Sequence, residues 1–309
     1  MTFVAPPQAF SKNVMAEVED LGCNWIAIIP YAFGSKNSTK ISYSVHDWQW
    51  WGERPEGVKA TTSEAHKSKL KVMLKPQIYI HQSWVGEIQF STDEEWAKWE
   101  QDYRRYIMLM LDIAIESNVE MFCVGTELNW SAKQRPKFWI ELIREIRNKY
   151  KGKLTYCTNW DHYREISFWK ELDYIGISAY FPLLDEKQPS VNQLKEAWKP
   201  IVQELENYSK SQARPILFTE YGYLSVDGCS GKSWELEPNI LKLAVNEQAQ
   251  ANAYEALYAS FWEKEWWVGG FFWKWFPDGQ GHEGYPEKDY TPQNKKATQI
   301  IKQWNFQNP

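Results

Sequence analysis

Short apolar runs alternate with longer amphipathic segments along the whole 309-residue chain. Runs at 2–5, 25–31, 71–77, 121–125, 153–158, 174–178, 216–219 and 268–273 read as strands. The stretches near 10–21, 58–69, 93–117, 136–149, 162–171, 191–210, 240–265 and 293–304 carry apolar residues at helical spacing. The helix over 93–117 has the clearest signals, since Thr92 and Glu95 match a capping box and Trp96, Trp99, Tyr103 and Tyr106 or Ile107 follow at helical spacing. Near-continuous apolar strands, each followed by a helical pattern, predict a parallel sheet covered by helices, and eight repeats predict one α/β domain over 1–309, a single (β/α)8 TIM barrel.

The connections are unequal. Long ones at 32–57, 179–190, 221–239 and 274–291 all follow the carboxyl end of a strand, whereas those leading from helix to strand are short. In a barrel the former face carries the active site, and long loops within a compact domain usually line one.

Composition narrows the chemistry. The formal net charge is -5 and basic residues are scattered, which argues against nucleic acid or an anionic membrane as partner. No run approaches the roughly 20 apolar residues of a membrane span. The opening MTFVAPP reads as a strand and not as a signal peptide, so either the protein is cytoplasmic or an export signal has been removed. The four cysteines and five histidines lack metal-ligand spacing, so no metal, no cofactor and no disulfide is expected, and the chain is expected to be a monomer. Aromatics stand out: 19 Trp, 17 Tyr and 14 Phe. Their flat faces with polar edges suit both a core between helices and a site that holds sugar rings.

Two apolar runs end in a carboxylate. FCVGTELNW places Glu127 after the fourth strand and PILFTEYGY places Glu220 after the seventh. Burying a charge is costly unless something pairs with it. One reading pairs each with a lysine, Lys75 or Lys274; the other brings both to one barrel mouth, where two carboxyls flanking a glycosidic bond perform its hydrolysis. In that case Glu220 attacks, supported by hydroxyl donors such as Tyr180, and Glu127 begins the cycle protonated, a state favoured by apolar walls and the neighbouring charge.

Carboxylates in these positions resemble the clan of retaining glycosidases on the (β/α)8 barrel. FCVGTEL, ISAYFPL, FTEYGY, FFWKW and YTPQNKKA together resemble glycoside hydrolase family 113, whose members are β-1,4-mannanases. The likeness runs from VAPPQAF to the last helix. It implies that Glu127 is the acid/base, Glu220 the nucleophile, Tyr180 a contact of the nucleophile and the reacting sugar, and Trp273 or Trp275 the floor of that subsite. Most families of the clan place Asn before the acid/base, where it meets the substrate's 2-hydroxyl. Here that residue is Thr126, and Asn159 is the candidate to replace the contact. The mannan or manno-oligosaccharide substrate rests on the resemblance alone.

Other positions stay open between ligand and structural roles. Lys75 and Gln77, with His81 and Trp84 beyond, close the third strand; Asn159, Trp160 and Asp161 close the fifth. Trp48, Trp50 and Trp51 form either a stacking platform or a plug beneath the second loop, and Trp234 and 281–290 are candidate cleft walls. Rival functions are an exo-acting β-mannosidase or a transglycosylase on the same site, a non-catalytic sugar-binding barrel, and Schiff-base chemistry on Lys75.

Overall fold

The protein is described by a computed structural model covering residues 1–10, 13–43, 48–277 and 285–307. Its strands are β1 (Thr2–Phe3), β2 (Trp25–Ile28), β3 (Tyr31–Gly34), β4 (Lys71–Leu74), β5 (Gln77–Ile80), β6 (Met121–Thr126), β7 (Lys153–Asn159), β8 (Tyr174–Ser178), β9 (Ile216–Tyr221) and β10 (Trp267–Phe272). Its helices are α1 (Ala16–Asp20), α2 (Pro55–Lys67), α3 (Asp93–Glu116), α4 (Asn129–Gln134), α5 (Pro136–Lys149), α6 (Val191–Gln212), α7 (Ser233–Leu236), α8 (Glu247–Phe261) and α9 (Lys296–Gln307).

Eight strands make one sheet in the order β1-β2-β4-β6-β7-β8-β9-β10. A parallel bridge between Phe3 and Trp275 ties β1 to the segment after β10. This is the (β/α)8 TIM barrel. All eight expected strands are present, but two are interrupted. Pro30 and Pro76 lack the N–H a continuous ladder needs; beyond them β3 and β5 pair as a separate parallel sheet, Tyr31 opposite Gln77 and Phe33 opposite Tyr79.

The helix expected over 162–171 is instead two 3-10 turns, Tyr163–Glu165 and Trp169–Glu171. The buried Trp169 indole donates to the Tyr163 carbonyl at 2.9 Å, taking an acceptor that an α-helix would need for its backbone. The helix expected over 240–265 begins only at Glu247, where the Asn246 side chain accepts from the Ala249 N–H.

By contacts the chain divides into two compact units, Ala5–Asn13 with Trp25–Ile177, and Met1–Val4 with Val14–Asn24 and Ser178–Pro309. In the first, α3 begins with the expected capping box: Thr92 Oγ1 accepts from the Glu95 N–H, and Glu95 accepts from the Thr92 N–H. Its buried face stacks Trp99 on Tyr103 at 5.0 Å, and the Tyr103 hydroxyl donates to the Val124 carbonyl of β6 at 2.8 Å. Behind β6, a Cβ at Gly125 would come within 2.7–2.8 Å of Trp139 and Tyr156, so the strand carries no side chain there. In the second unit Phe218 of β9 packs edge-on to Phe261 of α8 at 5.0 Å, and Tyr221 shares a hydrogen bond with Tyr258. At about 1.5–3 kcal/mol for each fully buried large apolar side chain, these contacts outweigh any single cap. They fix the strands that deliver Glu127 and Glu220.

Candidate active site

Glu127 is the first residue beyond β6. Its backbone takes φ +55°, a left-handed conformation that glutamate seldom adopts and that clusters at functional sites. Two hydrogen bonds hold it there: its N–H donates to the Cys157 carbonyl of β7 at 2.7 Å, and its own carbonyl accepts from Asn129 at 2.9 Å. The side chain is half-buried, and its Oε2 accepts from the Trp84 indole N–H at 2.8 Å.

The other candidate residues of this unit vary in accessibility. Thr126, in the position where the wider clan has Asn, is buried and turns its hydroxyl to the Pro76 carbonyl at 3.4 Å. Asn159 ends β7, and its side-chain oxygen is buried without a hydrogen-bond partner among the described residues, which in a native structure calls for an explanation. Lys75 is 0% exposed, and its charge works to lower the Cys123 thiol, which burial pushes up more strongly. Trp51 is half-buried with its ring 5.3 Å from Phe10, whereas Trp48 is 63% exposed and set against Phe33.

Glu220 lies within β9 and is 7% exposed. The Tyr180 hydroxyl donates to its Oε2 at 3.2 Å. Tyr180 meets Tyr290 edge to face at 5.9 Å, and the Tyr290 hydroxyl bonds Glu237. Burial and the charge of Glu237 raise Tyr290 well above the ordinary tyrosine range, so it stays a neutral donor. Lys274 lies over the rings of Trp273 at 5.2 Å and Phe276 at 5.3 Å. Burial lowers its ammonium to about 8 against the opposing pull of Asp289, Glu220 and Glu237. Trp273 is half-buried while Trp275 is 4% exposed, so of the two indoles only Trp273 offers appreciable surface.

The sequence reading named neither Tyr290 nor Glu237 individually. Their motifs lie 110 and 57 positions from Tyr180, and no local pattern signals a contact at that range. The segment 281–284, His46 and His282 fall outside the described residues. No group of three or more His, Cys, Asp or Glu side chains is arranged to hold a metal among the described residues.

The fold is a parallel (β/α)8 barrel, with Glu127 following β6 and Glu220 within β9. The family model of Glycoside Hydrolase Family 113 matches residues 7–295, and the chain belongs to that family. A β-mannanase of the same family from Alicyclobacillus acidocaldarius, solved in complex with ManMIm, is 25% identical, covers 100% of this chain and 97% of its own, and superposes with a TM-score of 0.84. A complex of a family 113 β-1,4-mannanase is 24% identical over 99% of this chain and 97% of its own, at 0.83. The Ruminococcus gnavus β-glucuronidase shares the fold, with a TM-score of 0.66 at 12% identity over 98% of this chain and 49% of its own. No curated protein sequence matches significantly.

Proposed function

We infer that this glycoside hydrolase is a retaining β-1,4-mannanase acting on mannan, glucomannan or manno-oligosaccharides within one barrel domain. The observation that carries the reading is that each strand-end carboxyl is gripped by a ring donor, Glu127 by Trp84 at 2.8 Å and Glu220 by Tyr180 at 3.2 Å. Both acids are thereby oriented, as a two-carboxylate mechanism requires. The names of the similar solved mannanases support the choice of sugar.

In the first step Glu127 gives its proton to the leaving glycosidic oxygen while Glu220 attacks the anomeric carbon, forming an α-linked glycosyl ester. Tyr180 steadies the attacking carboxylate, Trp273 floors the subsite, and Asn159 supplies a hydroxyl contact. In the second step Glu127, now a carboxylate, takes a proton from water as that water displaces Glu220, restoring the β configuration. The mechanism requires the two carboxyl groups about 5–5.5 Å apart.

Reducing ends released from mannan, glucomannan, xylan and cellulose test both sugar and site. Release is expected from the mannans only, with Glu220→Ala losing several orders of magnitude. Azide added to Glu127→Ala with an activated β-mannoside should yield the β-mannosyl azide; the α-azide would contradict retention.

A further inference from the structure

Trp84 belongs to the segment after β5, where the sequence marks it only as a position open between ligand contact and structure. Three observations set it apart. Its indole N–H donates to Glu127 Oε2 at 2.8 Å across 43 positions of sequence. At its other end the ring lies on Gly86, where a Cβ would come within 2.2–2.4 Å of three benzo carbons, so the indole is seated as well as hydrogen-bonded. The 3-10 turn Val85–Glu87 that holds Gly86 packs against α4, which begins two residues after Glu127.

An indole nitrogen donates and never accepts. It can therefore hold Oε2 in both protonation states of the acid, and by occupying that oxygen it disfavours the proton there and leaves it to Oε1. We propose that Trp84 is the positioning residue of the acid/base: its N–H fixes Oε2 so that Oε1 delivers the proton to the leaving oxygen and later receives one from water. The ring is 37% exposed, so its seat on Gly86 maintains the bond without full burial. This inference rests on the assignment of Glu127 as acid/base, and its test separates the two.

Trp84→Phe keeps an aromatic ring and removes the donor. Its kcat/KM is compared on mannotetraose, whose leaving sugar needs a proton, and on 2,4-dinitrophenyl β-mannobioside, whose leaving group needs none. We expect a loss of about 10- to 100-fold on the tetraose, within the range of general acid catalysis, and less than about threefold on the aryl glycoside. Gly86→Ala, which pushes the ring off its seat and so shifts the N–H away from Glu127 without deleting the donor, should reproduce the split. Equal losses on the two substrates, or no loss on either, overturn the proposal. Glu127→Ala is run alongside: if that variant itself shows no split, the acid/base assignment has failed, whereas a split in Glu127→Ala without one in Trp84→Phe refutes only the role of Trp84.

Discussion

At the scale of single residues, two half-buried ionisable groups give opposite dependences on pH. Burial pushes the Glu53 carboxyl up to about 7 from an ordinary 4.5, against the lowering effect of a hydrogen bond from Gln49. The folded protein thus keeps a proton that the unfolded chain releases, and this contribution is complete below about pH 4.5 and lost as pH rises through 7. It amounts to at most about 3.5 kcal/mol. Melting curves at pH 5 and pH 8 should show Glu53→Gln gaining on the parent protein at pH 8 only; equal gains at both would contradict the assignment. Lys274 runs the other way, its ammonium held at about 8 instead of 10.5, so its cost is present below pH 8 and relieved as pH rises toward 10.5. Lys274→Met should therefore hold or raise the melting temperature at pH 7 while lowering kcat, because a positive charge near Glu220 is lost. A fall in both would mean that its acidic neighbours hold the lysine more strongly than burial penalises it.

Among the elements, the loop after β10 depends on a buried ion pair. Lys295 Nζ meets Asp289 Oδ1 at 2.9 Å with side chains 5% and 1% exposed, and the same oxygen accepts from the Thr291 N–H. This pair braces the segment that presents Tyr290 to Tyr180. Lys295→Met strands the carboxylate and should cost about 3–5 kcal/mol, read as a drop in denaturation midpoint. Replacing Thr92 at the exposed start of α3 with Ala should cost only about 1 kcal/mol, because packing and not the cap holds that helix. The cap was legible in the sequence because Thr92 and Glu95 are three residues apart. The buried pair was not: YTPQNKKA holds two adjacent lysines, and only the fold distinguishes buried Lys295 from exposed Lys296.

Across the whole molecule, the barrel class could be read from sequence because the parallel strands are nearly continuously apolar and the helices between them amphipathic. Glu127 and Glu220 stood out for the same reason, as carboxylates where an apolar run ends. Pro30 and Pro76 hid the β3/β5 sheet, since residues on either side merge into single runs when only hydrophobicity is followed. The bond of Trp84 to Glu127 and the place of Tyr290 stayed hidden because hydrogen bonds spanning tens of positions leave no periodic trace. The central claim is that Glu220 becomes covalently glycosylated. Its most direct test is peptide mass spectrometry after incubation with 2-deoxy-2-fluoro-β-mannosyl fluoride, which forms the ester but turns it over slowly. A single added fluorosugar on the peptide bearing Glu220 is predicted; an unlabelled enzyme that still turns over mannan, or a label on another carboxylate, would contradict it.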